Sequence, residues 1–174
     1  PYRRQRQMCI RDRNIRLATK NDLAAIMPIF DKARAFMAAN GNSRQWINGY
    51  PQQELIEKEI ESGHCYVCTD ETQRVVATFC FIKGPDPTYT LIEKGSWPND
   101  KSYYVIHRLA SDGSHKGIAR LCISWCFAQH PCLRADTHED NHIMQHLLEQ
   151  NGFVRCGIIY VANGTPRIAY QKDK

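Results

Sequence analysis

The chain has 174 residues, of which 43% are hydrophobic and 24% charged, a size and composition that fit one globular domain and exclude a disordered chain or a coiled coil. The net charge of +5 depends on the first thirteen residues, PYRRQRQMCIRDR, which contain five arginines and one aspartate. Without them, the 23 basic and 18 acidic residues become 18 and 17. We therefore predict neither nucleic acid nor membrane as a partner.

The first thirteen residues differ in character from the rest of the chain. They have no apolar periodicity and resemble translated sequencing-adaptor sequence, so we interpret 1–13 as a non-native extension that is disordered or loosely attached. Residues 14–174 are then a single domain. A genuine basic arm that contacts nucleic acid is the alternative. No apolar run approaches the roughly 20 residues of a membrane span, and we expect a cytoplasmic protein.

The eight cysteines are scattered and stand mostly within apolar runs, which is typical of buried thiols in a reducing compartment. Cys65 and Cys68 form a single CxxC, but their segment resembles a strand, where residues three apart face opposite sides of a sheet. No second CxxC or nearby histidine pair completes a zinc site. We expect no metal there.

The first half of the chain predicts a strand, two helices and a hairpin. Residues 15–18 form a short strand, and the capping box Thr19–Asp22 opens a helix with apolar residues at helical spacing. The segment 40–51 is rich in Asn and Gly, and Pro51 starts a second helix that ends near Ser62. Two extended runs, CYVCT and VVATFCFI, are separated by the polar turn DETQR and predict an antiparallel hairpin.

The second half of the chain alternates strands and helices. The segment 84–100 is punctuated by proline and glycine, and we predict that it lies on the surface with one short strand at 89–92. The strand SYYVIHRLAS leads through a glycine-containing loop into the amphipathic helix IARLCISWCFAQ. The strand CLRADT precedes a helix from Asn141 to Gln150, and a final hairpin turns at Asn163-Gly164.

The loop from Ser114 to Ala119 carries the main chemical signal. Consecutive backbone amides at the start of a helix form a positive concavity that suits a pyrophosphate. Gly117 lets a ligand approach the main chain closely. Because an ordinary tight loop also has such a glycine, the signal depends on its context.

That context is the order of elements, the S-H-K-G-I-A loop after a strand, and the later pattern N-x-x-M-x-x-L-L-E-x-x-G-F. From Asn14 to Lys172 the chain resembles the GNAT superfamily of N-acetyltransferases. The resemblance implies an α/β fold with a mixed, mostly antiparallel central sheet of about six to seven strands and about four helices packed on both faces. It also implies transfer from acetyl-CoA, without metal, to a small-molecule or peptide amine by a monomer or homodimer.

The resemblance further implies which residues bind the cosubstrate. In the family, the pattern Q/R-x-x-G-x-G/A cradles the coenzyme A pyrophosphate; Gly117 and Ala119 fit it, while Ser114 replaces the usual Gln or Arg. Main-chain groups of the preceding strand bind the pantetheine and the thioester carbonyl, and Asn141 stands where the family commonly contacts the cofactor arm. The residues expected to bind acetyl-CoA are Leu109, Ala110, Ser111, Ser114, His115, Lys116, Gly117, Ile118, Ala119 and Asn141.

One departure from the family concerns the acid that protonates the leaving thiolate. A tyrosine often occupies the place of Leu148, and leucine cannot transfer a proton. Another donor, a water or direct release of the thiolate must replace it. This departure favours the alternative function, a noncatalytic acyl-CoA-binding module of the same fold.

Direct attack requires an unprotonated amine, and His107 is the first candidate for the base that removes its proton. Strand alternation predicts that Val105, His107 and Leu109 share one face, next to the expected thioester. A histidine paired within the core is the alternative role.

His138 and Glu139, with Asp136, are further catalytic candidates, because their strand should diverge from the preceding one where the acetyl group enters. Helix capping and solvation are their alternative roles. The sequence from His138 to His142 also reads H-E-x-x-H, a motif of zinc hydrolases that requires both histidines on one continuous helix. The capping residue Asn141 places His138 before the helix, so we do not expect a metal hydrolase.

Trp46 and Tyr50 are candidates for the acceptor site. Together with Glu54 and Trp97 they would form an aromatic and acidic wall suited to a cationic amine. Ordinary packing is their alternative role.

Overall fold

The computed structural model describes residues 13–174, which form one seven-stranded sheet flanked by four helices. The strands are β1 Asn14–Leu17, β2 Cys65–Thr69, β3 Val75–Lys83, β4 Tyr104–Ser111, β5 Cys132–Thr137, β6 Val154–Tyr160 and β7 Pro166–Asp173. They stand in the order β1-β2-β3-β4-β5-β7-β6, and every neighbouring pair is antiparallel except β4 with β5. The predicted mixed, mostly antiparallel sheet is confirmed.

The helices cover both faces of this sheet, as predicted. They are α1 Leu23–Ala39, α2 Gln53–Glu61, α3 Ile118–Gln129 and α4 His142–Gln150. Helices α1 and α2 bury Phe30 and Ile56 in a cluster with Cys65 on one face. Helices α3 and α4 bury Cys122 and Leu148 on the other face. The apolar stripes of the helices thus meet the two apolar faces of one sheet.

The cysteines of the described residues are free thiols, and six of these seven are buried. Cys65 packs in the cluster beneath α1 and α2, whereas Cys68 packs beneath α3. The prediction that this pair faces opposite sides of the sheet is confirmed. Cys9 lies outside the described residues.

The two parallel strands part early. Strand β4 pairs with β5 only at Tyr104, opposite Leu133, and at Val105, opposite Arg134. Beyond Val105, β4 stays paired with β3, and β5 stays paired with β7. A wedge-shaped opening therefore forms inside the sheet, and the β4 edge that faces it has main-chain groups without a strand partner.

The predicted strand at 89–92 is wrong. Pro87–Tyr89 forms a short 3-10 turn, which Asp86 caps by accepting a hydrogen bond from the amide of Thr88 at 2.9 Å. Proline at the first position of the turn and the aspartate before it favour this local structure over a strand. Only Glu93 makes an isolated bridge to the sheet, through Ile158.

The predicted extension falls mostly outside the described residues, which begin at Arg13. Arg13 forms an ion pair with Glu71 at 2.7 Å. Among residues 13–174, no helix has the length and apolar character needed to cross a membrane.

The predicted capping box at the first helix is confirmed, and its aspartate supports the fold electrostatically. Asp22 accepts hydrogen bonds from the Thr19 amide at 2.7 Å and from both terminal nitrogens of Arg16 at 2.8 and 2.9 Å. The Arg16 guanidinium contributes most, and together these contacts lower the pKa of Asp22 from 3.8 to about 2.

We expect Asp22→Asn to lower the free energy of unfolding at pH 7 by about 1 kcal/mol, because the ion pair still touches solvent. Since the folded pKa lies below the unfolded one, the wild-type advantage is complete above about pH 4 and disappears as the pH falls towards about 2. Urea unfolding across this range measures the difference. The control is Glu61→Gln, whose exposed pair with Lys20 at 3.3 Å should contribute little. If the difference in unfolding free energy between the wild type and Asp22→Asn is the same at pH 4 and pH 2, the charge of Asp22 does not stabilise the fold.

Candidate active site

A cavity of about 830 Å³ opens where β4 and β5 part. Its walls come from β4, the connection between α1 and α2, the start of α4, and the ends of β5 and β7. Such a cleft in a sheet, lined by apolar surface and a few polar groups, is typical of a ligand site. The lining residues that matter most below are Trp46, Asp86, His107, Ala110, Asp136 and Arg167.

A β-bulge at Arg108 shapes the β4 wall of this cavity. The φ angle of Arg108 is 54°, in the left-handed region. His107 pairs with Cys80 and Ala110 pairs with Thr78, so two β4 residues lie opposite one β3 residue between these pairs. The extra residue shifts the alternation of side chains along the strand.

The bulge corrects the predicted grouping of side chains on β4. Leu109 packs with the cluster beneath α3, whereas Ala110 packs with the cluster beneath α1 and α2. His107 therefore shares its face with Val105 and Ala110 and not with Leu109. The regular alternation that the prediction assumed is broken by one inserted residue.

His107 forms an acid–base pair with Asp86 on the cavity wall. The Nε2 atom of His107 lies 3.0 Å from Oδ2 of Asp86, and both side chains are mostly shielded from solvent. The hydrogen bond from His107 lowers the pKa of Asp86 below its ordinary value, assisted by the Thr88 amide. Asp86 thus stays ionised and orients the imidazole.

A second carboxylate, Asp136, faces the same cavity from β5. It accepts a hydrogen bond of 2.6 Å from the hydroxyl of Tyr89, which is fully buried. Burial raises the pKa of Tyr89 well above its ordinary value, and the nearby Asp136 carboxylate adds to this effect. Tyr89 therefore acts as a hydrogen-bond donor that holds Asp136 in place.

The loop before α3 is open, as a phosphate cradle requires. Gly113 and Gly117 have φ angles of 75° and 78°, and a Cβ atom built on either would meet no atom within 4 Å. The side chain of Asp112 accepts bonds from the amide and the hydroxyl of Ser114 and so shapes the turn. Since α3 begins at Ile118, its first amides lack intrahelical partners. The loop therefore fits a diphosphate at the helix start.

The predicted cofactor residues differ in where they lie. Five of them line the cavity: Leu109, Ala110, Ser111, Ala119 and Asn141. The other five, Ser114, His115, Lys116, Gly117 and Ile118, lie in the adjoining loop and at the first residue of α3, outside the cavity lining. The Ser114 hydroxyl is already bonded to Asp112, at 2.5 Å, and lies 2.8 Å from Nδ1 of His115.

Asn141 is the N-cap of α4, and its side chain is largely occupied by protein contacts. Its carbonyl oxygen accepts a hydrogen bond from the amide of Met144 at 3.0 Å, and its amide nitrogen donates to Gln45 at 2.9 Å. One amide proton is left for a ligand in the cavity.

His138 and Glu139 are not among the residues that line the cavity. His138 is 4% exposed, its Nδ1 accepts the amide of Asp140 at 3.0 Å, and burial lowers its pKa. It lies in the turn before α4, which begins at His142. The prediction that the H-E-x-x-H sequence does not lie on a continuous helix is confirmed.

The segment between α1 and α2 forms one wall of the cavity. Trp46 and Tyr50 line it, and Trp46 packs edge to face on both Phe30 and Tyr50. The hydroxyl of Tyr50 accepts a hydrogen bond of 2.7 Å from Nε of Arg108. An ion pair of 2.7 Å between Arg44 and Asp140 connects this segment to the turn before α4.

Glu54 and Trp97, the other members of the predicted aromatic and acidic wall, do not line the cavity. Trp97 instead packs on Tyr89 and on the guanidinium of Arg134, 3.9 Å from its ring. The predicted wall of four residues is therefore reduced to two aromatic ones.

Solved structures share this fold at very different levels of identity. A GNAT-family acetyltransferase from Streptococcus agalactiae 2603 is 33% identical, with 93% of this chain and 95% of that one covered and a TM-score of 0.85. This chain belongs to the GNAT family of acetyltransferases. A GNAT-family acetyltransferase from Listeria monocytogenes 4b F2365 is 21% identical, with 93% and 95% covered and a TM-score of 0.69. The ribosomal-protein-S5-alanine acetyltransferase from Vibrio fischeri is 18% identical, with 93% of each chain covered and a TM-score of 0.57. No protein-family model and no curated protein matches the sequence.

In this GNAT protein, Leu148 is 3% exposed and packs in the core beneath α4 while one part of it lines the cavity. An aliphatic side chain in this place donates no proton to a leaving thiolate. An acyl transfer in this cavity would need that proton from another source.

Two charged groups of this GNAT site were missing from the sequence-based prediction. Asp86 lies in the proline-rich segment that was predicted to be surface, and its one local signal is the Asp-Pro-Thr order of a turn cap. Arg167 directly precedes the apolar run Ile168–Tyr170 of its strand, a signal for a buried cation. Neither signal indicates that the residue lines a cavity, because Asp86 and Arg167 come together there only in the folded chain.

Proposed function

We propose that this GNAT protein transfers an acetyl group from acetyl-CoA to a primary amine by direct nucleophilic attack. The observation that carries the proposal is the meeting, in one cavity, of the unpaired edge of β4 with the imidazole of His107, which is bonded to Asp86. An extended acyl donor needs main-chain partners, and the reacting amine needs a base. The opening between β4 and β5 offers both.

In the proposed step, the amine nitrogen attacks the thioester carbonyl carbon. A C–N bond forms, the C–S bond breaks, and coenzyme A leaves as its thiolate. When Nε2–H of His107 donates to Asp86, the lone pair on Nδ1 accepts the proton that the amine loses, and Asp86 stabilises the resulting imidazolium. Because Leu148 has no proton to give, the thiolate takes its proton from water. His138 and Glu139 have no part in this step, since neither lines the cavity.

The proposed donor site runs from β4 to the start of α3. Main-chain groups of Leu109, Ala110 and Ser111 would hold the pantetheine arm, and the amides around Gly117 and Ala119 would hold the diphosphate. The open space at Gly117 and the unpaired amides at the start of α3 support this placement. Acetyl-CoA would supply the activated acyl group.

Titration calorimetry with acetyl-CoA, together with a coenzyme A release assay over a panel of primary amines, tests the proposal. We expect saturable binding of acetyl-CoA and release of coenzyme A that depends on an amine. Saturable binding without release on every amine would favour the noncatalytic acyl-CoA-binding module, the alternative that Leu148 motivates. Absence of binding would overturn both functions.

A further inference from the structure

Arg167 on β7 is a buried cation that lines the cavity. It is 6% exposed and, among the described residues, donates two hydrogen bonds, each of 3.1 Å, to the main-chain oxygens of Pro166 and Gln45. Within residues 13–174 it forms no ion pair with a carboxylate. A guanidinium has five N–H donors, so three remain for a ligand.

A buried guanidinium without a counter-ion is unfavourable, because the lost hydration is not replaced by an opposite charge. Consistent with this, burial lowers the pKa of Arg167. A compensating charge comes from Asp136, which lies on the same face of the sheet, because it pairs with Ala169, two residues along β7 from Arg167. The Asp136 carboxylate, however, accepts the hydroxyl of Tyr89 instead of pairing with the arginine. The free donors of Arg167 therefore suit an anion that enters the cavity.

The other ionisable groups on the side of the cavity where the amine would bind are mainly acidic. Asp86 and Asp136 present two carboxylates to the cavity, and His107 lies beside Asp86. Carboxylates attract an ammonium group, and an imidazole removes its proton before attack. One cavity thus contains a subsite for an ammonium group, which becomes the nucleophile once it is deprotonated. It also contains a buried arginine, Arg167, which suits an anionic group of the ligand.

We infer that the acceptor is a small aminocarboxylic acid, whose amine faces His107 and Asp136 and whose carboxylate pairs with Arg167. The inference rests on the proposed function and names its substrate class. It differs from the cationic amine that the candidate aromatic and acidic wall would suit, because Glu54 does not line the cavity and Arg167 would repel a second positive charge.

Matched sets of three compounds test the carboxylate directly: leucine, leucinamide and 3-methylbutylamine, with the corresponding sets built on methionine and phenylalanine. Coenzyme A release is followed at saturating acetyl-CoA. We expect kcat/KM for at least one amino acid to exceed that for its amide and its decarboxylated amine by about 100-fold, because a buried site built for a charged partner rejects analogues that lack it. Equal use of acid and amide, or better use of the amine, overturns the inference and leaves the proposed function intact.

The variants Arg167→Gln and Arg167→Lys test whether the preference for a free carboxylate depends on this side chain. The glutamine variant should lose about 100-fold in kcat/KM on the amino acid, change less than about threefold on the amide, and bind acetyl-CoA normally. The lysine variant should recover part of the loss. Arg155→Gln, on the exposed part of β6, is the matched control and should behave as wild type. Weakened acetyl-CoA binding in Arg167→Gln would assign the arginine to the donor and overturn the inference.

If acetyl-CoA binds but no amine releases coenzyme A, the proposed transfer fails, and thermal unfolding of the coenzyme A-saturated protein then decides the subsite. Stabilisation by leucine but not by leucinamide, lost in Arg167→Gln, supports recognition of an aminocarboxylate. Equal stabilisation by both compounds, or stabilisation by neither, overturns it.

Discussion

Gly117→Trp should weaken acetyl-CoA binding by about 100-fold or more while leaving the fold intact. The Cβ position of Gly117 is open, so an indole there occupies the space in which the diphosphate would approach the first amides of α3. Loss of several charge-assisted hydrogen bonds to a diphosphate accounts for an effect of this size. Titration calorimetry measures the dissociation constant, and circular dichroism reports on the fold.

Two control variants separate bulk from backbone strain in this test. The φ angle of 78° at Gly117 is unfavourable for any side chain, at a cost of about 1 kcal/mol. Gly117→Ala introduces that strain without bulk and should retain most of the affinity. Gly63→Trp places an indole at a similar φ of 73°, also in open space but away from the cavity, and should bind acetyl-CoA normally. Unchanged affinity in Gly117→Trp would remove the diphosphate from this loop.

His107→Ala should lower kcat by about 10² to 10⁴ while changing acetyl-CoA affinity less than about twofold. General-base catalysis contributes factors of this range, and His107 meets the cavity on the acceptor side. Because only a neutral imidazole can accept a proton, the wild-type rate should fall in acid, and this acidic limb should be absent in the variant. The pH–rate profile in the presence of a saturating amine checks both points.

Asp86→Asn tests the positioning role of the carboxylate beside that histidine. Without the negative charge, the imidazolium that forms in the proposed step is less stabilised, so kcat should fall, although less than in His107→Ala. His146→Ala, an exposed histidine on α4, is the matched control and should leave the profile unchanged. A profile for His107→Ala that still matches the wild type would exclude His107 as the base.

Local signals predicted most of the elements and their order. The capping box at Thr19–Asp22, the amphipathic helix Ile118–Gln129 and the hairpin at Asn163-Gly164 all occur where short-range pattern and turn chemistry indicated. The short strand expected at 89–92 failed because a proline and the capping Asp86 govern that segment. Where a residue interacts mainly with its sequence neighbours, the sequence is sufficient.

The candidate site depended on contacts between distant parts of the chain. His107 was the first candidate for the base, but its partner Asp86 is 21 positions away and meets it only because β3 and β4 bring the two together. Tyr89 and Asp136, 47 positions apart, form their hydrogen bond in the same way. Likewise, the bulge at Arg108 arises from the register between two strands, which no periodicity in β4 alone reveals.

The amino-acid sequence alone was enough for the family, most of the elements and the position of the glycine-containing loop before α3, because hydrophobic period, caps and turns act over a few residues. Tertiary structure alone placed Arg167 and two carboxylates around one cavity and moved Leu109 away from the face of His107. The physical reason is that the electrostatic fit to an acceptor depends on charged side chains that come from distant parts of the chain. The strand register and the separation of β4 from β5 decide which of these side chains line the cavity.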